Sequence, residues 1–131
     1  MSTRGSPQAR PTGIVLLGRL LSANMNSTAD QAIAINSSSY RVTKIVARNA
    51  STSLTTASGG VYSATAKGGS AIVAAAQVYS ALTGSTKCVN LTIAAVGDSD
   101  SRTEASIYLS LTVAQGGAAT ADLWVYGESY S

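Results

Sequence analysis

Polar and apolar residues alternate most regularly over residues 106–113, SIYLSLTV. The odd-numbered positions are the aliphatic residues Ile107, Leu109, Leu111 and Val113. The even-numbered positions are serine, threonine and Tyr108. Because successive side chains of a strand point to opposite faces, this pattern predicts a β-strand with one buried face.

Similar short segments, separated by glycine and by small polar residues, run along most of the chain. We predict eight strands, over residues 14–22, 31–35, 40–49, 60–66, 71–79, 88–95, 105–114 and 121–127. Residues 71–82 contain enough alanine for a helix of about three turns, but their β-branched residues and flanking glycines favour a strand. Gly116 and Gly117 predict a hairpin-type connection between the last two strands. The fold class expected is all-β, an antiparallel, jelly-roll-like β-sandwich of about eight strands.

Residues 1–12 differ from the rest of the chain, because they are polar, have no hydrophobic period and contain Arg4, Pro7, Arg10 and Pro11. They also lack the apolar run of a secretory signal. We expect a flexible, extended N-terminal arm that docks on a neighbouring subunit, followed by one β-sandwich domain over residues 13–131.

Charged residues make up only 11% of the chain, and the net charge is +3 with the bases scattered along the sequence. A nucleic-acid partner is therefore not expected, since such proteins concentrate their bases in a patch. The most apolar run, residues 14–21, contains Gly18 and Arg19 and is far shorter than the roughly 20 residues that cross a membrane. No membrane partner is expected either. Phenylalanine is absent, and such a thin aliphatic core favours burial of further apolar surface by self-association.

The chain offers little reactive chemistry. It has no histidine and one cysteine, so the usual general base and a closed zinc site are both missing. The six acids show no spacing that selects a catalytic pair. We expect no enzyme activity, no cofactor and no metal. Three acids at Asp98, Asp100 and Glu104 admit a calcium site, but their pairing with Arg102 is favoured. A free thiol at Cys88 is favoured over an intermolecular disulfide.

Aromatic residues are the remaining candidates for a site. Trp124 and Tyr126 share one face of the last predicted strand, and Tyr108 lies on the polar face of the strand before it. If these strands were neighbours, the three rings would form one aromatic strip. A subunit interface or second packing layer is favoured. The alternative is a platform that stacks on sugars, flanked by Asp122 and Glu128.

Three stretches carry a resemblance to known proteins: residues 24–33 (NMNSTADQAI), 40–49 (YRVTKIVARN) and 121–127 (ADLWVYG). They are similar to small structural proteins of tailed bacteriophages and prophages. The resemblance implies a virion component, such as a capsid decoration protein, a neck or collar protein, or a short fibre or spike. It also implies a homo-oligomer, with a trimer as the first expectation, and other virion proteins as partners. The alternative is a carbohydrate- or receptor-binding module.

Overall fold

The computed structural model describes residues 13–94 and 101–130 of the 131-residue chain. Within these residues the regular elements are strands, and no helix is long and apolar enough to cross a membrane. The strands are β1 (Val15–Asn24), β2 (Gln31–Ala34), β3 (Tyr40–Arg48), β4 (Ser58–Ala64), β5 (Gly68–Val73), β6 (Cys88–Asn90), β7 (Ser106–Val113) and β8 (Thr120–Ser129). The arm predicted for residues 1–12 lies outside the described residues.

The eight strands form two antiparallel sheets of four strands each. Sheet A has the order β1-β8-β3-β6, and sheet B has the order β2-β7-β4-β5. In these sheets β1 pairs with β8, β2 with β7, β3 with β6 and β4 with β5. Strands from the two halves of the chain thus pair in reverse order, with the first strand beside the last and the fourth beside the fifth. This is the strand order of an eight-stranded jelly roll, and it confirms the predicted antiparallel β-sandwich.

Each predicted segment overlaps one observed strand, and the differences lie at the strand ends, as in β5, which begins at Gly68 and not at Ala71. In the ambiguous segment over residues 71–82, β5 ends at Val73, and the residues after it form turns with one isolated bridge between Val78 and Ser58. Segment 88–95 is a strand of sheet A only as far as Asn90. It ends there because the chain crosses to the other sheet, where Ile93 forms a bridge with Val73 of β5.

The predicted hairpin between the last two strands is wrong. β7 lies in sheet B and β8 lies in sheet A, so the connection through Gly116 and Gly117 crosses from one sheet to the other. Gly116 has a φ of 94°, a conformation that glycine adopts readily both in a hairpin turn and in a connection between sheets. Local turn chemistry therefore predicted the change of direction correctly but not the partner of the strand that follows.

The core lies between the two sheets and is built mainly from aliphatic side chains. From β7, Ile107, Leu109 and Leu111 point inward and are fully buried, as their alternation predicts. The prediction is wrong for Val113, which is 44% exposed at the end of the strand. Leu123 and Val125 of β8 face the three buried side chains from sheet A and are also fully buried. Burial of this apolar surface, at roughly 25 cal/mol per Å², supplies the main driving force for folding.

At each side of the sandwich, one backbone hydrogen bond joins an edge strand to the segment that follows an edge strand of the other sheet. On one side the Asn36 N–H donates to the Leu17 carbonyl oxygen of β1 at 2.9 Å. On the other side the Ala94 N–H donates to the Ile72 carbonyl oxygen of β5 at 2.8 Å. Such contacts occupy backbone groups that an edge strand would otherwise offer to another chain.

Two tyrosines place phenol groups inside the otherwise aliphatic core. The Tyr40 hydroxyl donates to the Glu104 carbonyl oxygen at 2.8 Å, and the Tyr79 hydroxyl donates to the Gly59 carbonyl oxygen at 3.1 Å. Burial, more than the neighbouring charges, raises the pKa of Tyr40 to about 12. These bonds satisfy buried polar groups that would be costly without a partner.

A close backbone approach at Gly127 fixes the end of β8 between its two neighbours. Gly127 pairs with Val15 of β1 and with Val42 of β3. A Cβ atom at this position would overlap the Arg41 carbonyl oxygen and lie 2.9 Å from Cδ1 of Leu17. The first of these obstacles is backbone and cannot rotate away, so the position admits only glycine.

We expect Gly127→Ala to lower the free energy of unfolding by about 1–3 kcal/mol, the usual cost of overpacking. Gly117→Ala is the matched control, because a Cβ there meets no atom within 4 Å; its effect should stay within about 0.5 kcal/mol. Urea unfolding followed by circular dichroism measures both. Equal stability of the two variants would contradict the packing at Gly127.

Candidate functional site

Trp124 and Tyr126 lie together on the outer face of sheet A. Residues of β8 alternate across the sheet, so that Leu123 and Val125 point into the core while Trp124 and Tyr126 point outward. Both aromatic side chains are half-buried. The shared face predicted for these two residues is therefore present, and it lies outside the core between the sheets.

The neighbours of the two rings come from the strands on either side of β8. Arg19 of β1 and Val46 of β3 are the register partners of Trp124. Lys44 of β3 is a register partner of Tyr126. Residues directly opposite each other in an antiparallel pair point to the same face. The aromatic residues of β8 are thus flanked by an aliphatic residue and by two cations.

A groove runs over this face. Its volume is about 400 Å³, and its lining consists of Ile14, Lys44, Val46, Arg48, Trp124 and Tyr126. We call it the Trp124 groove. Its floor is mainly apolar, and cationic groups stand beside the floor. Its size falls within the range of about 300–1,000 Å³ that is typical of ligand pockets.

Arg19 occupies one face of the indole ring. Its guanidinium carbon lies 5.4 Å from the centroid of the Trp124 ring, within the range of a cation–π contact. At an exposed site such a contact is worth about 0.5–1 kcal/mol, so it favours this position of the guanidinium, whose N–H groups can still act as donors. The same contact covers a ring surface that a sugar would need for stacking.

Positive charge dominates the surface of the groove. Among the described residues, the salt bridges do not include Arg19, Lys44 or Arg48, and all three side chains are exposed. In contrast, Arg41 on the same strand as Lys44 pairs with Glu128 at 3.2 Å. Lys44 and Arg48 line the groove and Arg19 lies beside it over the Trp124 ring. None of the three has a carboxylate within 4 Å in the described part of the chain, although Asp122 is the register partner of Arg48 on the same face.

The two acids predicted to flank a sugar platform have other partners. Asp122 is only 8% exposed, and its carboxylate accepts the Ser22 N–H at 2.8 Å and the Asn49 side-chain amide at 3.1 Å. Glu128 accepts the Tyr130 hydroxyl at 2.8 Å. This bond, together with the charge of Arg41, lowers the pKa of Glu128. Both acids thus fix local structure.

Tyr108 is not part of this face. It lies on β7 in sheet B, where its register partners are Ala32 and Tyr62. Because β7 and β8 belong to different sheets, the single aromatic strip through Tyr108, Trp124 and Tyr126 does not form. The structure brings Trp124 and Tyr126 together and leaves Tyr108 on the opposite side of the sandwich.

The other candidate sites are simpler. Cys88 is an exposed free thiol opposite Arg48, at the β6 edge of sheet A. Arg102 lies 3.7 Å from the Glu104 carboxylate and is 5% exposed. Within residues 13–94 and 101–130, no group of three or more acidic, cysteine or histidine residues is placed to hold a metal ion. Asp98 and Asp100 lie outside that part.

Sequence reasoning missed the cations of the groove. Arg19, Lys44 and Arg48 stand in the predicted strands as isolated bases, far from Trp124 in the chain. Only the pairing of β1 and β3 with β8 places them around one ring. The one local signal of an outward-facing position was the alternation in β3, where exposed Lys44 and Arg48 alternate with buried Ile45 and Ala47.

Comparisons with known proteins add nothing to this geometry: no family model, curated protein or solved structure matches the chain. The functional argument therefore depends on the strand order and on the chemistry of the Trp124 groove.

We expect Trp124→Ala to leave the protomer folded and to weaken its association or docking by about 2 kcal/mol or more, as truncation of an interface anchor does. Trp124→Phe should change the free energy of unfolding less than Trp124→Ala does, because the indole N–H has no hydrogen-bond partner among the described residues. The matched control is Leu123→Ala, which empties a fully buried site and should cost about 2–5 kcal/mol.

Circular dichroism in urea measures the stability of these three variants, and light scattering measures their association. A loss of stability for Trp124→Ala as large as that for Leu123→Ala would place the indole in the core and contradict the assignment.

Proposed function

We propose that this chain is a non-enzymatic structural protein of a tailed-phage virion, which docks on the particle as a capsid decoration, neck, collar or spike protein and self-associates. The observation that carries the proposal is the jelly-roll strand order of sheets A and B. Jelly rolls are the architecture of many viral capsid domains and of lectins. The resemblance of three stretches of the chain to phage structural proteins points the same way.

The surface of sheet A supports a docking role. Trp124 and Tyr126 offer the large, rigid rings that dominate interface energetics. Beside them, Ile14, Leu16 and Leu21 are 52%, 36% and 49% exposed on or next to β1. Exposed apolar residues gathered in one region commonly mark a protein contact surface. A charge-poor chain with such a face is well suited to assembly.

The arrangement of the acids supports a non-enzymatic role. Each acid in the described part contacts a neighbouring N–H, hydroxyl, amide or guanidinium group; these acids are Asp30, Glu104, Asp122 and Glu128. Asp30, for example, accepts the Ala66 N–H at 2.7 Å, and this bond lowers the pKa of its carboxyl. Carboxylates engaged in this way stabilise turns and strand ends.

A carbohydrate- or receptor-binding module is the second candidate. The observation that favours it is the aromatic floor of the Trp124 groove, because lectins of this architecture use aromatic rings to bind sugars. The guanidinium of Arg19 over the indole ring weighs against it. A glycan array distinguishes the two candidates, since saturable binding of a neutral sugar, lost in a Trp124→Ala variant that still assembles, would favour the second.

Self-association is expected to show directly in solution. Light scattering at micromolar concentration should report a multimer, with a trimer as the first expectation. Leu21→Glu, which places a charge on the exposed part of β1, should dissociate it without loss of fold. Val113→Glu is the matched control, because Val113 is 44% exposed on β7 in the other sheet. A stable monomer of the unmodified protein would contradict self-association.

Mass spectrometry of purified phage particles tests the virion assignment. The chain should be present at a fixed copy number per particle. Deletion of residues 1–12 should leave the sandwich with a cooperative thermal transition but abolish incorporation into the particle. Absence of the full-length chain from the particles would contradict the proposed function, and loss of the cooperative transition on deletion would contradict the docking arm.

A further inference from the structure

We propose that the Trp124 groove binds an acidic segment of a partner protein, in which carboxylate side chains flank an aliphatic side chain. This inference deepens the proposed function and rests on it, because the segment would belong to the virion protein on which this chain docks. The charges and the apolar floor of the groove indicate the chemistry of the partner.

The charge of the groove is the first argument. Arg19, Lys44 and Arg48 lie on the two strands that flank β8, and no salt bridge of the described residues includes them. Asp122 is the register partner of Arg48, but its carboxylate accepts hydrogen bonds from the Ser22 N–H and the Asn49 side-chain amide. A docked surface removes water from the three cations, and a cation buried without a partner is strongly destabilising. A neutral or basic surface would therefore be rejected, whereas carboxylates placed opposite the three cations would offset the loss of hydration.

The position of Arg19 is the second argument. Its guanidinium lies over the Trp124 ring, with 5.4 Å between the guanidinium carbon and the ring centroid. An arginine whose position is favoured by a cation–π contact loses less conformational entropy on binding than an unrestrained one. Its N–H groups form a planar fork that matches the two oxygens of a carboxylate. Arg19 is thus prepared for one specific kind of acceptor.

The floor of the groove is the third argument. Ile14, Val46, Trp124 and Tyr126 line it between the cationic groups. Contact with these side chains favours an aliphatic residue of the partner, because burial of apolar surface is favourable and non-directional. A segment that alternates acidic and aliphatic residues satisfies both the floor and its cations.

The same charges exclude two occupants supplied by the chain itself. A symmetric dimer through this face would place the same patch on both subunits, so that Arg19, Lys44 and Arg48 would face their own copies. Residues 1–12 contain Arg4 and Arg10 and no acid, so this segment is also repelled. The occupant must therefore be an acidic surface other than this same face of a second copy or residues 1–12.

Two anionic ligands of other classes fit the geometry less well. A single-stranded nucleic acid gains affinity from bases stacked on open aromatic faces, and an acidic oligosaccharide has no aliphatic side chain for the apolar floor. Arg19 already covers one face of Trp124. The acidic peptide needs only the edge of the guanidinium and the apolar floor, so it is the occupant that the observations favour.

Fluorescence titration of the full-length protein tests the proposal, because Trp124 is the only tryptophan in the chain. The probes are three N-acetylated five-residue peptides that alternate glutamate with leucine, glutamate with serine, and lysine with leucine. We expect the glutamate–leucine peptide to bind at least about tenfold tighter than the lysine–leucine peptide. The glutamate–serine peptide should lie between them, and added salt should weaken binding.

Charge variants locate the binding. Arg19→Glu should weaken binding of the glutamate–leucine peptide about tenfold or more, and Arg19→Lys should fail to restore it fully, because lysine lacks the planar fork. Lys87→Glu is the matched control: Lys87 is exposed and lies outside the groove, so binding should stay within about twofold. Circular dichroism establishes that each variant is folded.

Several results would overturn the proposal. One is equal affinity for the glutamate–leucine and lysine–leucine peptides, and another is an Arg19→Glu variant that is folded and binds as the unmodified protein does. Tighter binding of an oligothymidylate or of a heparin-derived oligosaccharide than of the acidic peptide would replace the peptide by that class of ligand. The particle assay described above is independent: presence in the virion without acidic-peptide binding contradicts this inference alone.

Discussion

The register of β8 within sheet A is the constraint on which the rest of the structure depends. β8 lies between β1 and β3, and its alternation sends Leu123 and Val125 into the core while Trp124 faces outward. A shift by one residue would exchange the two faces. The close approach of Gly127 to the Arg41 carbonyl oxygen opposes such a shift, so one backbone contact serves both the core and the docking face.

The face proposed for docking is a consequence of long-range pairing. β1 comes from the beginning of the described chain and β8 from its end, and their pairing brings Arg19 over the Trp124 ring. β3 completes the face with Val46 and Lys44. Rigid strands position the groove, so little ordering is needed on binding.

The strands were predictable from the sequence, but their partners were not. Alternation over residues 106–113 depends only on the period of a strand, and it predicted the buried positions of Ile107 and Leu109. Whether β7 and β8 pair with each other or lie in different sheets depends on how all eight strands bury their apolar faces. This is a property of the whole chain, and no local pattern shows it. For that reason Tyr108 was grouped with Trp124 although they lie on opposite sheets, and the cations around the indole were missed.

Oxidative footprinting with hydroxyl radicals, read by mass spectrometry, tests the central claim most directly, because both outer faces carry half-buried aromatic side chains. The free protein and the same protein in its assembled particle are compared. The account predicts that Trp124 and Tyr126 are oxidised in the free protein and protected in the particle, while Tyr108 on sheet B is oxidised in both. Equal oxidation of Trp124 in the two states, or protection confined to Tyr108, would contradict it.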